Sequence, residues 1–249
     1  MATYGLFTNP ICPFAQRATF ALALRPLPHN VHWVPLSLQL AWAEKFGVEK
    51  VPVGQVFAGI SAEELKGGKE HYKGSINATG EVPSLQLPSG EVVMESEIVA
   101  EYIDSVATQG TKLMPEDPLL ASRVRLAMKR FSDSVASCYQ LLMNQDPAKD
   151  QEYADAIKAK WTKFADVLDK NGPFCFGSSV TMADVHCAPF LYRPFGGPAK
   201  ASAGSGGMRE DARVPSAPAD CIGRYPFGVR AVRKRPEIVG GGLRRPWPL

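Results

Sequence analysis

Residues 6–17 read Leu6-Phe7-Thr8-Asn9-Pro10-Ile11-Cys12-Pro13-Phe14-Ala15-Gln16-Arg17, and this stretch decides the fold. The apolar run over residues 3–7 predicts a first strand. Pro13 stands where a first helical residue would stand, and apolar residues then recur at helical spacing. Cys12 therefore precedes a helix, where unpaired backbone N–H groups and the positive end of the helix dipole favour thiolate over thiol. The stretch predicts a reactive thiol, with a small buried residue as the alternative interpretation.

The motif has the form C-x-x-C with Ala15 in place of the second cysteine. A site with two thiols can resolve its own mixed disulfide, whereas a site with one thiol cannot. If Cys12 is redox-active, a thiol from another molecule must complete the cycle.

The composition narrows the class of protein. The chain has 249 residues, 45% of them hydrophobic, which suits one large or two small domains. Its five scattered cysteines do not form a disulfide framework, and they share no metal-ligand spacing with the four histidines, so a reducing compartment and no metal are expected. No long apolar stretch predicts a membrane-spanning helix, and no secretory signal is recognisable. We therefore expect a cytoplasmic protein without constitutive membrane insertion.

The first part of the chain alternates strands and helices. Ser96 is interpreted as the cap of the last helix, whose apolar residues repeat at i and i+4. The order is β-α-β-α-β-β-α, with a long, partly helical connection in the middle and an end near residue 107. The predicted segments are a strand at 31–36, helical stretches at 41–46 and 62–65, a strand at 80–87, a hairpin turn at 88–91, a strand at 92–94 and a helix from 96.

The second part is predicted to be entirely helical. A polar linker at 108–118 leads into a domain at 119–193, so the first domain is 1–107. Two helices, each with a long apolar face, are predicted first, and a third helix follows and ends at Tyr192. Thr181 and Asp184 form a capping-box variant at the start of that third helix.

The segment 194–249 has a different amino-acid composition. It is rich in Gly, Pro and Arg, without an apolar period, so it is expected to be mostly disordered. Residues 195–249 carry a net charge of +6, which leaves −3 for the rest of the chain. Such a basic segment is interpreted as a solvated tail rather than a site for nucleic acid or anionic lipid.

The chain resembles the glutathione transferase superfamily, in which a thioredoxin-like domain precedes an all-α domain. The Cys12-Pro13-Phe14-Ala15-Gln16-Arg17 segment is similar to the omega class, which uses cysteine where other classes use tyrosine or serine. The resemblance covers about residues 3–193 and implies that Cys12 forms a mixed disulfide with glutathione. The family continues with further helices after residue 193, so the helical domain here is expected to be truncated.

The resemblance also implies the glutathione-binding residues. Pro83 would follow a cis peptide bond, and the Val82 backbone would pair with the cysteinyl part of glutathione. Ser96, besides capping its helix, would hold the γ-glutamyl carboxylate at the helix N-terminus, and Glu95 would accept from the γ-glutamyl amine. Lys69 has the spacing expected of the lysine that binds the glycyl carboxylate, with Lys73 as a nearby competitor.

The implied activity is glutathione-dependent thiol transfer and dehydroascorbate reduction, with weak conjugation of glutathione to electrophiles. The co-substrate would be glutathione, the partner a small oxidised or electrophilic substrate, and a homodimer is the family's usual state. Arg17 is expected to pair locally or with a nearby acidic group and receives no catalytic role. Two alternatives stay open: an inactive or regulatory splice-type product that binds glutathione without turnover, and a non-enzymatic protein like the chloride intracellular channels.

Overall fold

The computed structural model describes residues 3–51 and 54–196, which divide into two units that meet in sequence between Lys112 and Leu113. The helices and strands of the first unit are β1 (Tyr4–Thr8), α1 (Pro13–Leu24), β2 (His29–Trp33), α2 (Ser37–Phe46), α3 (Ala62–Ser75), β3 (Ser84–Gln86), β4 (Val92–Met94) and α4 (Ser96–Val106). Those of the second unit are α5 (Pro118–Met143), α6 (Asp150–Ala165) and α7 (Met182–Gly196). Short 3₁₀ turns occupy Val48–Lys50, Gly54–Phe57 and Pro147–Lys149.

The first unit is built on a four-stranded sheet in the order β2-β1-β3-β4. β1 pairs in parallel with β2, while β3 pairs antiparallel with both β1 and β4. The central strand β1 is buried, and Leu6 is 1% exposed. This burial agrees with its apolar sequence, since a strand covered on both faces carries apolar residues on both. The predicted thioredoxin-like class, with α1 as the crossover between the parallel strands, is confirmed.

The elements differ from the predicted segments in several places, and β3 covers only Ser84–Gln86 of the strand predicted at 80–87. β2 begins at His29 rather than at residue 31. It pairs residue by residue with the five residues of β1, and this register starts with Tyr4 beside His29. The long central connection contains two α-helices, of which α3 starts with a capping box between Ser61 and Glu64. This connection buries a small apolar cluster of its own, made of Ala43, Val51, Phe57 and Leu65.

In the described part of the second unit the elements are all helices, as predicted, apart from an isolated β-bridge between Phe174 and Gly177. Phe131 of α5 is fully buried and meets Trp161 and Phe164 of α6 edge to face, at centroid distances of 5.5 and 5.2 Å. The predicted capping box is present, since the Asp184 carboxylate accepts from both the Thr181 backbone and its hydroxyl at 2.8 Å.

The third predicted helix runs further than expected. α7 extends to Gly196, whereas the sequence pattern ended it at Tyr192 and assigned residues from 194 to a disordered tail. The remainder of that predicted tail, 197–249, lies outside the described residues. The domain bounds 1–107, 108–118 and 119–193 stay predictions. None of the helices in the described ranges is long and apolar enough to cross a membrane.

Candidate functional site

Cys12 lies immediately before α1, at the N-cap position, with extended backbone angles and Pro13 as the first helical residue. Its backbone N–H donates to the Asn9 carbonyl at 3.3 Å, which closes a turn between β1 and α1. The thiol is half-buried and forms no disulfide within the described residues, and its Sγ lies 3.9 Å from the carbonyl oxygen of Val82. The structure therefore has the Cys12 thiol at a helix N-terminus, as the sequence predicts.

Asn9 fixes the turn that carries Cys12. The Asn9 side chain is buried, and its Nδ2 donates to the Val34 carbonyl at 2.8 Å and to Gln39 Oε1 at 2.6 Å. Its Oδ1 accepts from the backbone N–H of Ile11 at 3.0 Å. One buried amide thus ties the ends of β1 and β2 to α2, immediately before the thiol.

Val82 and Pro83 are joined by a cis peptide bond, as expected from the resemblance. A buried hydrogen-bond network holds the loop before them. The Tyr72 hydroxyl donates to the Glu81 carbonyl and contacts Ser84 Oγ at 2.8 Å. Asn77 Nδ2 donates to the same carbonyl at 3.1 Å, so the backbone leading into Val82 is anchored from α3 and from the loop itself.

Glu95 and Ser96 lie beside this loop because Ser84 pairs with Met94 in the β3–β4 hairpin. The interpretation of Ser96 as the helix cap is wrong. Glu95 occupies the N-cap position with a φ of +68°, a left-handed conformation that a glutamate adopts only at some cost, and Ser96 is the first helical residue. The Ser96 hydroxyl instead accepts a hydrogen bond from Arg17 Nη1 at 3.0 Å.

Arg17 is 2% exposed and pairs with Glu97 across 3.5 Å. Its expected pairing with a nearby acidic group is therefore confirmed. The guanidinium links α1 to the first turn of α4, which is the turn that carries Ser96.

Lys69 projects from α3 and is largely buried, with its ammonium donating to the carbonyl of Gly80. Burial lowers the pKa of Lys69, and the neighbouring Lys73 ammonium lowers it further. The neighbouring Glu70 and Cys12 side chains act in the opposite direction and raise the same pKa. Gly80 has a φ of +71°, and the stems of both lysines pack on the side where a Cβ would be.

These residues open into one cavity of about 700 Å³ within the first unit. All six residues predicted for the site line it: Cys12, Lys69, Val82, Pro83, Glu95 and Ser96. Lys73 lines it as well, so the cavity brings both candidate lysines together. Within the described ranges, we find no cluster of three or more His, Cys, Asp or Glu side chains that could hold a metal ion.

Sequence reasoning missed part of the wall. Leu36, Ser37 and Leu40, at the start of α2, line the cavity together with Phe14 of α1. The spacing of Leu36 and Leu40 is that of one helix face, but the sequence pattern predicts a strand over residues 31–36. Phe14, Leu36 and Leu40 make one part of the wall apolar, next to a thiol and to charged or polar groups.

The arrangement has definite chemical capacities. The Cys12 thiol lies at a helix N-terminus, where backbone N–H groups stabilise an anionic sulfur. A second helix N-terminus, that of α4, suits a carboxylate, and an ammonium group at Lys69 suits another. The site can therefore hold an elongated ligand with two anionic groups and present its middle to a nucleophilic sulfur.

Comparison with known proteins gives three findings. A model of the family described as "Glutathione S-transferase, N-terminal domain" matches residues 11–106. The mouse protein glutathione S-transferase omega-1 is 23% identical over 188 residues, which are 76% of this chain and 65% of the mouse protein. Protein IN2-1 of Zea mays is 30% identical over 198 residues, which are 77% of this chain and 65% of the maize protein. The chain thus spans less than two thirds of the length of these relatives.

A solved structure shares the fold. Glutathione transferase Omega 3C from Trametes versicolor superimposes with a TM-score of 0.58 and 22% identity, covering 77% of this chain and 73% of the fungal one.

Proposed function

Since the chain is an omega-like member of the glutathione transferase superfamily, we propose that it is a glutathione-dependent thiol transferase and dehydroascorbate reductase. The observation that supports this most is that the Cys12 thiol opens into the same cavity as Lys69, Val82, Glu95 and Ser96. The site would take glutathione as co-substrate, next to a small oxidised or electrophilic substrate. A cytoplasmic location and a homodimer belong to the same proposal.

Glutathione would lie along the cavity with its two ends held by charge. The Ser96 hydroxyl and the N-terminus of α4 would bind the γ-glutamyl carboxylate, and Glu95 would accept from the γ-glutamyl amine. Lys69 would bind the glycyl carboxylate, with Lys73 as its neighbour. The Val82 backbone would pair with the cysteinyl segment, which brings the glutathione sulfur to Cys12 because the two residues are already in contact.

The reaction would proceed by two thiol–disulfide exchanges. The Cys12 thiolate attacks the glutathione sulfur of a glutathionylated substrate, forms the Cys12–glutathione disulfide and releases the substrate thiolate, which takes up a proton. A second glutathione thiolate then attacks the glutathione sulfur of that disulfide, releasing glutathione disulfide and restoring the Cys12 thiolate. Ala15 leaves no second thiol at the resolving position, so the second exchange requires the external thiol.

Reduction of dehydroascorbate would use the same sulfur. Two glutathione molecules supply two electrons and two protons, and they leave as glutathione disulfide while dehydroascorbate becomes ascorbate. Conjugation of glutathione to electrophiles should be weak, because a cysteine near the glutathione thiol forms a disulfide with it rather than holding it as a thiolate.

The test is the intact mass of the protein after incubation with glutathione disulfide, followed by turnover with hydroxyethyl disulfide and glutathione. We expect one added glutathionyl group that reduced glutathione removes, and loss of both the adduct and turnover in Cys12→Ala. Cys138→Ala, which removes a half-buried thiol of the second unit, should behave like the unaltered protein.

Two results would contradict the proposal. A folded protein without an adduct would refute the mixed-disulfide mechanism. An adduct that forms on Cys12 without turnover would favour a glutathione-binding, inactive product.

A further inference from the structure

The hydrogen bond between Arg17 and Ser96 has a fixed direction. A guanidinium group has donors and no acceptor, so Ser96 Oγ must be the acceptor in the 3.0 Å contact with Arg17 Nη1. A hydroxyl has one hydrogen to donate, and this contact does not use it. Arg17 thereby leaves the Ser96 hydrogen for another acceptor, and Ser96 lines the cavity.

The same guanidinium brings positive charge behind the first turn of α4. Arg17 is 2% exposed, and its acidic partner Glu97 has a side chain that is 44% exposed and lies 3.5 Å away. Solvent screens a carboxylate that is exposed to that extent, so Glu97 compensates the buried cation only in part. The N-terminus of α4 adds its own partial positive charge at the same place.

The first turn of α4 is not capped by its own sequence. Within the described part of the chain, the N-cap residue Glu95 makes no side-chain hydrogen bond to the backbone of that turn. The N–H groups there are oriented toward the N-terminal side, where an anion can accept from them.

We propose that Arg17 is a positioning residue for the γ-glutamyl carboxylate of glutathione: it orients the Ser96 hydroxyl as a donor and strengthens the positive potential at the α4 N-terminus. This inference rests on the proposed function. Arg17 does not line the cavity and acts through Ser96. If Arg17 only ties α1 to α4, replacing it should affect ligands with and without that carboxylate equally.

The experiment compares two ligands by calorimetry on the full chain. One is S-methylglutathione, whose blocked sulfur keeps disulfide chemistry out of the measurement. The other is the same molecule with γ-aminobutyrate in place of γ-glutamate, which keeps the amine and lacks the carboxylate. The measured quantity is the ratio of their dissociation constants in the unaltered protein, in Arg17→Met and in Arg17→Lys.

We expect Arg17→Met to reduce the preference for the carboxylate-bearing ligand by about ten-fold, the usual effect of losing a charge-assisted contact. Its affinity for the shortened ligand should stay within about two-fold of the unaltered protein. Arg17→Lys, which keeps a donor and a charge, should restore part of the preference. An unchanged ratio in Arg17→Met would overturn the inference, whether the two affinities stay the same or fall equally.

A second variant covers the case in which Arg17→Met does not fold. Glu97→Gln removes the partial counter-charge without touching the cavity wall, so it should raise the preference for the carboxylate-bearing ligand by about two-fold. A lowered or unchanged preference would overturn the inference. If the unaltered protein binds neither ligand, the proposed glutathione site itself fails, and this result differs from an intact preference that does not depend on Arg17.

Discussion

The side-chain amide of Asn9 donates a hydrogen bond to the side-chain oxygen of Gln39 at 2.6 Å, and both residues are 1% exposed. This contact joins the end of β1 to α2, just before the turn that carries Cys12. The Cys12 thiol thus follows a turn that buried hydrogen bonds hold in place.

Replacing Asn9 should therefore cost stability. Asn9→Ala removes the donors to Val34 and Gln39 and the acceptor for Ile11, and leaves buried polar groups unpaired, so we expect a loss of about 2–4 kcal/mol in the free energy of unfolding. Urea denaturation measures it. Asn30→Ala, at an exposed position of β2, is the matched control and should cost under about 0.5 kcal/mol. Equal effects of the two substitutions would show that the network contributes nothing.

Lys69 should make stability depend on alkaline pH. Burial, and then Lys73, lower the pKa of Lys69 in the folded protein, so the unfolded chain binds this proton more tightly. The charged ammonium thus destabilises the fold, and this cost disappears as the pH rises from the lowered pKa towards the ordinary value of 10.5. Relative to Lys69→Met, the unaltered protein should gain stability across that interval in urea denaturation.

The control for Lys69 is Lys66→Met, because Lys66 lies on the same helix with a side chain that is 65% exposed. The gain of stability with pH in the Lys69 comparison should exceed any change in the Lys66 comparison over the same range. A parallel rise in both comparisons would assign the effect to general titration of the chain.

A side chain at Gly80 should destabilise the fold. Its φ of +71° costs an L-residue about 1–2 kcal/mol, and an added Cβ would lie 2.9 Å from Lys73 Cγ. Gly90→Ala introduces the same kind of strain at a φ of +95°, with no described atom within 4 Å, and so isolates the backbone cost. We expect Gly80→Ala to be the more destabilising by about 1 kcal/mol and to weaken binding of S-methylglutathione, because Lys69 donates to the Gly80 carbonyl. Equal costs would mean that the lysine stems move aside freely.

Local signals in the sequence were sufficient for much of the first unit. Pro13 marks the first turn of α1 because a missing N–H costs nothing there, and the Pro88–Glu91 turn marks the β3–β4 hairpin. The pattern around Cys12 predicted this residue directly, the other five candidate site residues came from the resemblance, and all six line one cavity.

Two of the failures come from contact between distant residues. The start of β2 depends on the length of β1, and the Ser96 hydroxyl is held by Arg17, which lies 79 positions earlier. A local pattern at Ser96 predicts a cap, and nothing within a few residues of it signals a buried guanidinium. The cavity wall at Leu36 and Leu40 was missed because the boundary between β2 and α2 was placed too late.

The hydrogen bond between Arg17 and Ser96 also bears on how this fold diverges. Losing the arginine leaves a buried hydroxyl without its donor, and replacing the serine by an apolar residue leaves a buried cation without one of its acceptors. Each single change carries a penalty that the paired change avoids. Evolutionary drift at the two positions should therefore be coupled, so that homologues keep both residues or replace both.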